Sequence, residues 1–166
     1  MNIQSVRYPQ YAHLYKSIVA TSQGFLTVFA NDNALKAIDF TDTHPTANEN
    51  KISKLAATQL SEYIANKRER FDLPLDPDGT HFQKEVWQAL LHISFSSTAS
   101  YLDIAVAVGN KNACRAVGAA NSKNPIPIVI PCHRIIGKNG KLTGYASGLE
   151  RKTYLLSLES KASSLK

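Results

Sequence analysis

The chain has 166 residues, 43% hydrophobic and 19% charged, with a formal net charge of +6 and two cysteines. That length holds one domain or two small lobes, and its longest apolar run, 126–131, is far too short to cross a bilayer. Two thiols make no disulfide framework and the histidines show no ligand spacing; with no signal-peptide pattern in MNIQSVRYPQ, the expectation is a cytoplasmic protein with no membrane contact, metal or cofactor.

Three β-rich runs open the chain, HLYKSIVA, GFLTVFAN and ALKAIDF, split by turn residues at 22–24 and 31–33. They predict successive hairpins. After a polar loop at 41–50, apolar residues at 52, 55, 56, 60, 63 and 64 repeat at helical spacing, which predicts an amphipathic helix over roughly 50–67. DLPLDPDG, residues 72–79, has two prolines and a glycine and reads as the linker between an N-terminal lobe, 1–78, and a C-terminal lobe, 79–166.

The second lobe opens on Thr80-His-Phe-Gln83, a capping-box pattern ahead of a helix. Ser100-Tyr-Leu-Asp103 starts a second, short helix ending at Gly109, and NACRAVGAAN a third from about Asn112. Two short helices around a glycine-containing turn match a helix-turn-helix, a pattern that packed cores also produce. On the third helix most residues are small and only Arg115 projects a long polar side chain from the middle. A major-groove reader carries several such side chains, so this helix suits either a close, weakly sequence-specific duplex contact or burial against a neighbour. Charge favours the duplex. Residues 1–79 carry eight Lys/Arg and nine Asp/Glu (8 − 9 = −1), whereas 80–166 carry eleven and four (11 − 4 = +7), a balance that draws polyanions.

Cys132 stands between a proline and His133, directly after NPIPIVI. A thiol at its reference pKa is only about 3% ionised at neutral pH, and a histidine relay oriented by a carboxylate can raise that fraction. Adjacent residues of a strand face opposite ways, so the pair must lie on a bend or act through a water. Taken alone, Cys-His also fits a structural cysteine beside a chance histidine.

IPCHRIIG followed by NGKLTGYASGL, with GTHFQKEVW, SYLDIA and RAVGAAN upstream, resembles the O6-alkylguanine-DNA alkyltransferases, and the resemblance covers essentially all of 79–159. It implies an α/β protein of α+β type: an N-terminal three-stranded antiparallel sheet with a helix, then a helical lobe whose helix-turn-helix enters the minor groove of double-stranded DNA. It implies direct repair of O6-alkylguanine, and of O4-alkylthymine, by a monomer that is consumed in one transfer. Carried over by position, Cys132 is the alkyl acceptor, His133 polarises it through a water, and Glu159 orients the imidazole. Tyr101 donates toward the guanine, Asn124 pins the turn bearing the cysteine, and Arg115 replaces the extruded nucleotide. Asn112, Ala113, Ala116 and Ser122 join Tyr101 and Arg115 on the DNA-facing surface, and Pro127, Ile135, Tyr145, Ala146 and Ser147 line the guanine pocket. Some positions depart from the family pattern. Ser94 and Ser96 stand where Pro and Gly are usual, Ser122 and Ser147 each replace a Gly, and Ala146 lacks a hydroxyl that some members have.

Three other readings compete. A lesion-flagging alkyltransferase-like protein would lack the cysteine, and a transcriptional regulator would carry base-reading side chains on its third helix. A cysteine hydrolase would need an oxyanion hole, for which the sequence holds no separate sign.

Overall fold

The computed structural model describes residues 7–164 and divides into two compact units between Asp78 and Gly79. In the first, β1 (Tyr15–Thr21), β2 (Gly24–Ala30) and β3 (Leu35–Thr41) form an antiparallel sheet in that order, as the three β-rich runs predict. Residues of β2 and β3 are buried on both faces, so neither strand shows the hydrophobic-polar alternation of a half-solvated sheet. Helix α1 (Lys51–Ile64) packs across the sheet through its buried Ala56, Leu60 and Tyr63. The remaining apolar cluster joins Tyr11, Leu14, Phe29 and Ala37, with Tyr8 against it.

Helix α1 begins where its reciprocal cap sits, Asn50 accepting from the Ser53 amide and the Ser53 hydroxyl accepting from the Asn50 amide. It stops short of the expected 67 because Asn66 takes a left-handed φ of 60°. Residues 72–78 are also more constrained than a linker. The Leu35 amide donates to Pro74 O at 2.8 Å, the Asp76 amide donates to Leu35 O at 3.0 Å, and Lys36 pairs with Asp76 and Asp78 at 2.9 Å each. The outer edge of β3 thus finds partners in the segment that leaves the unit, which blunts an open sheet edge.

The second unit opens with α2 (His81–Leu90), capped by the Thr80/Gln83 box. Gly79 admits no side chain, because a Cβ there would collide with the Trp87 ring. Trp87 is buried, and its Nε1 donates to Ala120 O at 2.8 Å. A two-residue strand β4 (Ala99–Ser100) leads directly into α3 (Tyr101–Ala107), where Ser100 and Asp103 cap each other. The third expected helix, α4, spans Cys114–Ser122 and so begins two residues later than expected. Asn110 is the cause: its side-chain oxygen takes the Asn112 amide at 3.1 Å and its carbonyl takes the Ala113 amide at 3.0 Å, holding both residues in the turn. Residues 124–134 then run to β5 (Ile135–Ile136), which pairs in parallel with β4, and α5 (Leu149–Ser164) closes the unit.

Among the described residues, no helix is long and apolar enough to cross a membrane. Burial trims the charge excess of this unit: Arg134 and Lys152 lie inside it, as does Glu159. The remaining basic side chains still far outnumber the acidic ones.

Candidate active site

Every residue from Asn124 to Ile135 is buried, and 124–131 are so outside helix and sheet, an unusual state for a loop. Three prolines reduce the number of amides needing partners. The Asn124 side chain closes the loop, its Oδ1 accepting from the Ile126 amide at 3.0 Å and its Nδ2 donating to Ile130 O at 2.8 Å. The Ile130 amide donates back to Ile126 O at 2.9 Å. Between them Ile128 has a φ of 73°, a conformation a β-branched residue adopts only under constraint, at about 1–3 kcal/mol. The loop is therefore held by its own hydrogen bonds against local preference.

It delivers Cys132–Arg134 as a single 3-10 turn. The Cys132 amide donates to Ile130 O at 2.8 Å, and the Arg134 amide donates to Pro131 O at 3.0 Å. Cys132 is 4% exposed, and neither it nor Cys114 is in a disulfide. His133 is fully buried. Its Nε2 donates to Glu159 Oε1 at 2.8 Å, while Nδ1 is buried with no hydrogen-bond partner among the described residues. A neutral imidazole with its proton on Nε2 keeps a bare lone pair on Nδ1.

Electrostatics favour that neutral form. Burial pushes the His133 pKa down; Glu159 opposes this, and Arg134 and Lys152 reinforce it. For Glu159 burial alone would raise the carboxyl, but hydrogen bonds from His133 and Arg134 hold it down, to about 2. Lys152 is also fully buried, and its Nζ donates to Ile135 O at 2.5 Å and to Thr143 O at 3.0 Å. Burial lowers its pKa, while a charge on Cys132 raises it, so the ammonium lies within electrostatic reach of the thiol.

The site residues expected from sequence separate into four groups. Cys132, His133, Glu159 and Asn124 converge in the buried turn and its supports. Tyr101 heads α3, and its hydroxyl shares a hydrogen bond of 2.6 Å with the Thr143 hydroxyl. Arg115, Ala116 and Ser122 are exposed on α4, Asn112 is exposed before it, and Ala113 is half-buried. Pro127, Ile135 and Tyr145 are buried, Ser147 is half-buried and Ala146 exposed. A cavity of about 260 Å³ abuts the site, lined by Ser96, Thr98, Ile136, Leu142, Leu156 and Glu159 among others, and its lining includes none of those five.

Four residues that the sequence reading passed over belong to this constellation: Arg134, Lys152, Thr143 and Asn121. Asn121 is buried on α4, and its Nδ2 donates to Cys132 O at 3.4 Å. Lys152 had a signal, since it precedes Glu159 by seven residues and so shares its helix face.

Residues 14–77 match the ribonuclease-like domain of 6-O-methylguanine DNA methyltransferase, and residues 81–161 match its DNA binding domain. A methylated-DNA–protein-cysteine methyltransferase of Methanosarcina barkeri is 47% identical over 153 residues, 88% of this chain and 97% of the relative. The constitutive protein of that name from Bacillus subtilis is 49% identical over 125 residues, 74% of this chain and 76% of its own. The O6-methylguanine methyltransferase structure from Mycobacterium tuberculosis superposes with a TM-score of 0.81 at 38% identity, covering 90% of this chain and 94% of that one. A structure from the same organism in complex with DNA gives 0.80 at 42% identity, over 87% and 92%. With both domain models matched in chain order, the chain belongs to the O6-methylguanine-DNA methyltransferase family, a family of DNA-repair methyltransferases.

Proposed function

We propose that this protein repairs double-stranded DNA by moving the alkyl group of O6-alkylguanine, and of O4-alkylthymine, onto Cys132 in a single irreversible step. The observation that carries the reading is the buried His133–Glu159 pair beside Cys132, with the imidazole Nδ1 left bare. A water between that nitrogen and the thiol would relay the proton away as the sulfur attacks the alkyl carbon. The S–C bond forms as the C–O6 bond breaks, and the thiol proton ends on the guanine. Lys152 supports the thiolate by its charge. Tyr101 would exchange Thr143 for the departing guanine oxygen.

A pocketed thiolate cannot reach O6 inside a stacked duplex, so the nucleotide must be flipped out. Arg115, exposed on α4, would fill the gap from the minor groove, with Asn112, Ala113, Ala116 and Ser122 around it. The small residues of α4 suit close approach without base reading, as a lesion found in any sequence requires. Pro127, Ile135, Tyr145, Ala146 and Ser147 would receive the flipped base. A monomer suffices for this chemistry, and a cytoplasmic setting would keep the thiol reduced. The product is a thioether, which has no low-barrier route to hydrolysis, so each molecule acts once.

Intact mass and peptide mapping after mixing with duplex containing O6-methylguanine test the proposal. One methylene should appear on the Cys132 peptide, and methyl release should plateau at one equivalent. Cys132→Ala should bind duplex yet transfer nothing. Sustained release beyond one equivalent, or methyl on Cys114, would overturn it.

A further inference from the structure

We propose that Arg134 is a positioning residue for the transfer: its guanidinium holds the Glu159 carboxylate against His133, so that the imidazole keeps its proton on Nε2 and leaves Nδ1 bare. The proposal rests on the reading of Cys132 as alkyl acceptor. The guanidinium and the imidazole converge on one carboxylate and share its Oε1, with the guanidinium reaching Oε2 as well. Arg134 Nε lies 3.1 Å from both Glu159 oxygens, and Nη2 donates to Oε1 at 2.7 Å. Nη1 donates to Ile93 O at 2.7 Å, and Cζ lies 5.8 Å from the Phe95 ring centroid. Three elements are thereby fixed to one planar group: the acceptor turn, α5 and the segment after α2.

A carboxylate sealed against an imidazole has two ways to relieve its isolation, taking up a proton itself or drawing one onto the imidazole. Either outcome disables the relay. A protonated Glu159 no longer accepts from Nε2, and an imidazolium has no lone pair to receive the thiol proton. A guanidinium supplies the countercharge permanently, since it does not release its proton. The groups facing His133 are Glu159 and Lys152 from α5 with Cys132 and Arg134 from its own turn. Removing Arg134 leaves the carboxylate dominant and shifts the imidazole toward its charged form. A lysine at 134 would keep the charge without the fork.

The test pairs nitrogen-15 NMR of His133 with single-turnover rates on duplex containing O6-methylguanine, for wild type, Arg134→Gln and Arg134→Lys. Wild type should show a neutral Nε2–H tautomer at about pH 7. In Arg134→Gln the imidazole should titrate at higher pH, and the rate at about pH 6 should fall at least about fivefold more than at about pH 8. Arg134→Lys should restore the wild-type titration. An unmoved imidazole with the same loss of rate at every pH would reduce Arg134 to scaffold and overturn the proposal. If Arg134→Gln does not fold, wild type decides alone: an Nδ1–H tautomer or an imidazolium at about pH 7 refutes it. Wild type that transfers no methyl would sink the alkyl-transfer reading instead, and the NMR arm would still be readable.

Discussion

Glu159→Gln removes one charge with almost no change in shape, and its cost can be worked from the site. The carboxyl titrates at about 2 in the folded chain against an ordinary 4.5. At about 1.4 kcal/mol per unit, its ionisation contributes about 3 kcal/mol to folding at neutral pH. Loss of one partner of a buried ion pair costs about 3–5 kcal/mol by mutational precedent, a range that this value meets at its lower end. The sign follows from the direction of the shift. Stability from the carboxylate is complete above about pH 4.5 and disappears as pH falls toward 2. The buried imidazole adds an earlier acid limb below about pH 6.5, because the unfolded chain takes a proton that His133 resists. Urea unfolding of wild type and variant between about pH 7 and about pH 3 checks this. The variant should be less stable by about 3 kcal/mol at neutral pH, and the gap should narrow below about pH 4.5. A gap of the same size at the acid end would show that the carboxylate's charge contributes nothing, and the reasoning would fail.

Ser96 holds a φ of 65° and its amide lies 3.4 Å from Glu159 Oε2. Ser96→Gly should therefore stabilise the fold by about 1 kcal/mol, a rise of about 2–4 °C in Tm by calorimetry, and an unchanged Tm would remove the strain argument. Lys152→Met should slow transfer about tenfold at neutral pH and move the Cys132 thiolate absorbance to higher pH, with two carbonyls losing their donor. An unchanged thiol titration would separate Lys152 from the chemistry. Arg115→Ala should slow transfer from duplex far more than from free O6-methylguanine base, because unstacking costs a few kcal/mol only where a stack exists; equal losses would make Arg115 a mere phosphate contact.

The sheet and helices α1 to α4 were legible in the sequence because their signals are local. Turn residues split the three β-runs, and the Thr80/Gln83 and Ser100/Asp103 boxes lie where helices begin. The start of α4 was misplaced because the periodicity reading passed over the Asn110 turn, whose side chain and carbonyl hold Asn112 and Ala113 outside the helix. Convergence of Cys132, His133 and Glu159 came from the PCHR resemblance. No spacing rule joins a 3-10 turn to a helix residue 26 positions later. Arg134 and Lys152 were counted among the surface cations that draw DNA, since charge counting cannot tell a solvated side chain from a buried one. The left-handed Ser96 was visible only as a substitution for glycine, and its hydrogen bond to Glu159 depends on α5 lying close by.

The short parallel pairing of Ala99 with Ile135 and Ser100 with Ile136 carries a consequence for how this unit comes together. Its strands are separated along the chain by all of α3, α4 and the buried loop, so pairing them before those elements condense carries the full cost of closing that loop. Local contacts should therefore let the capped helices form first, with the ladder that sets the acceptor turn beside the start of α3 following them. Substitutions that weaken it should leave the refolding rate nearly unchanged and hasten unfolding instead. The nucleophile would then be the last part of its unit to be enclosed during folding and the first to be uncovered when the unit opens.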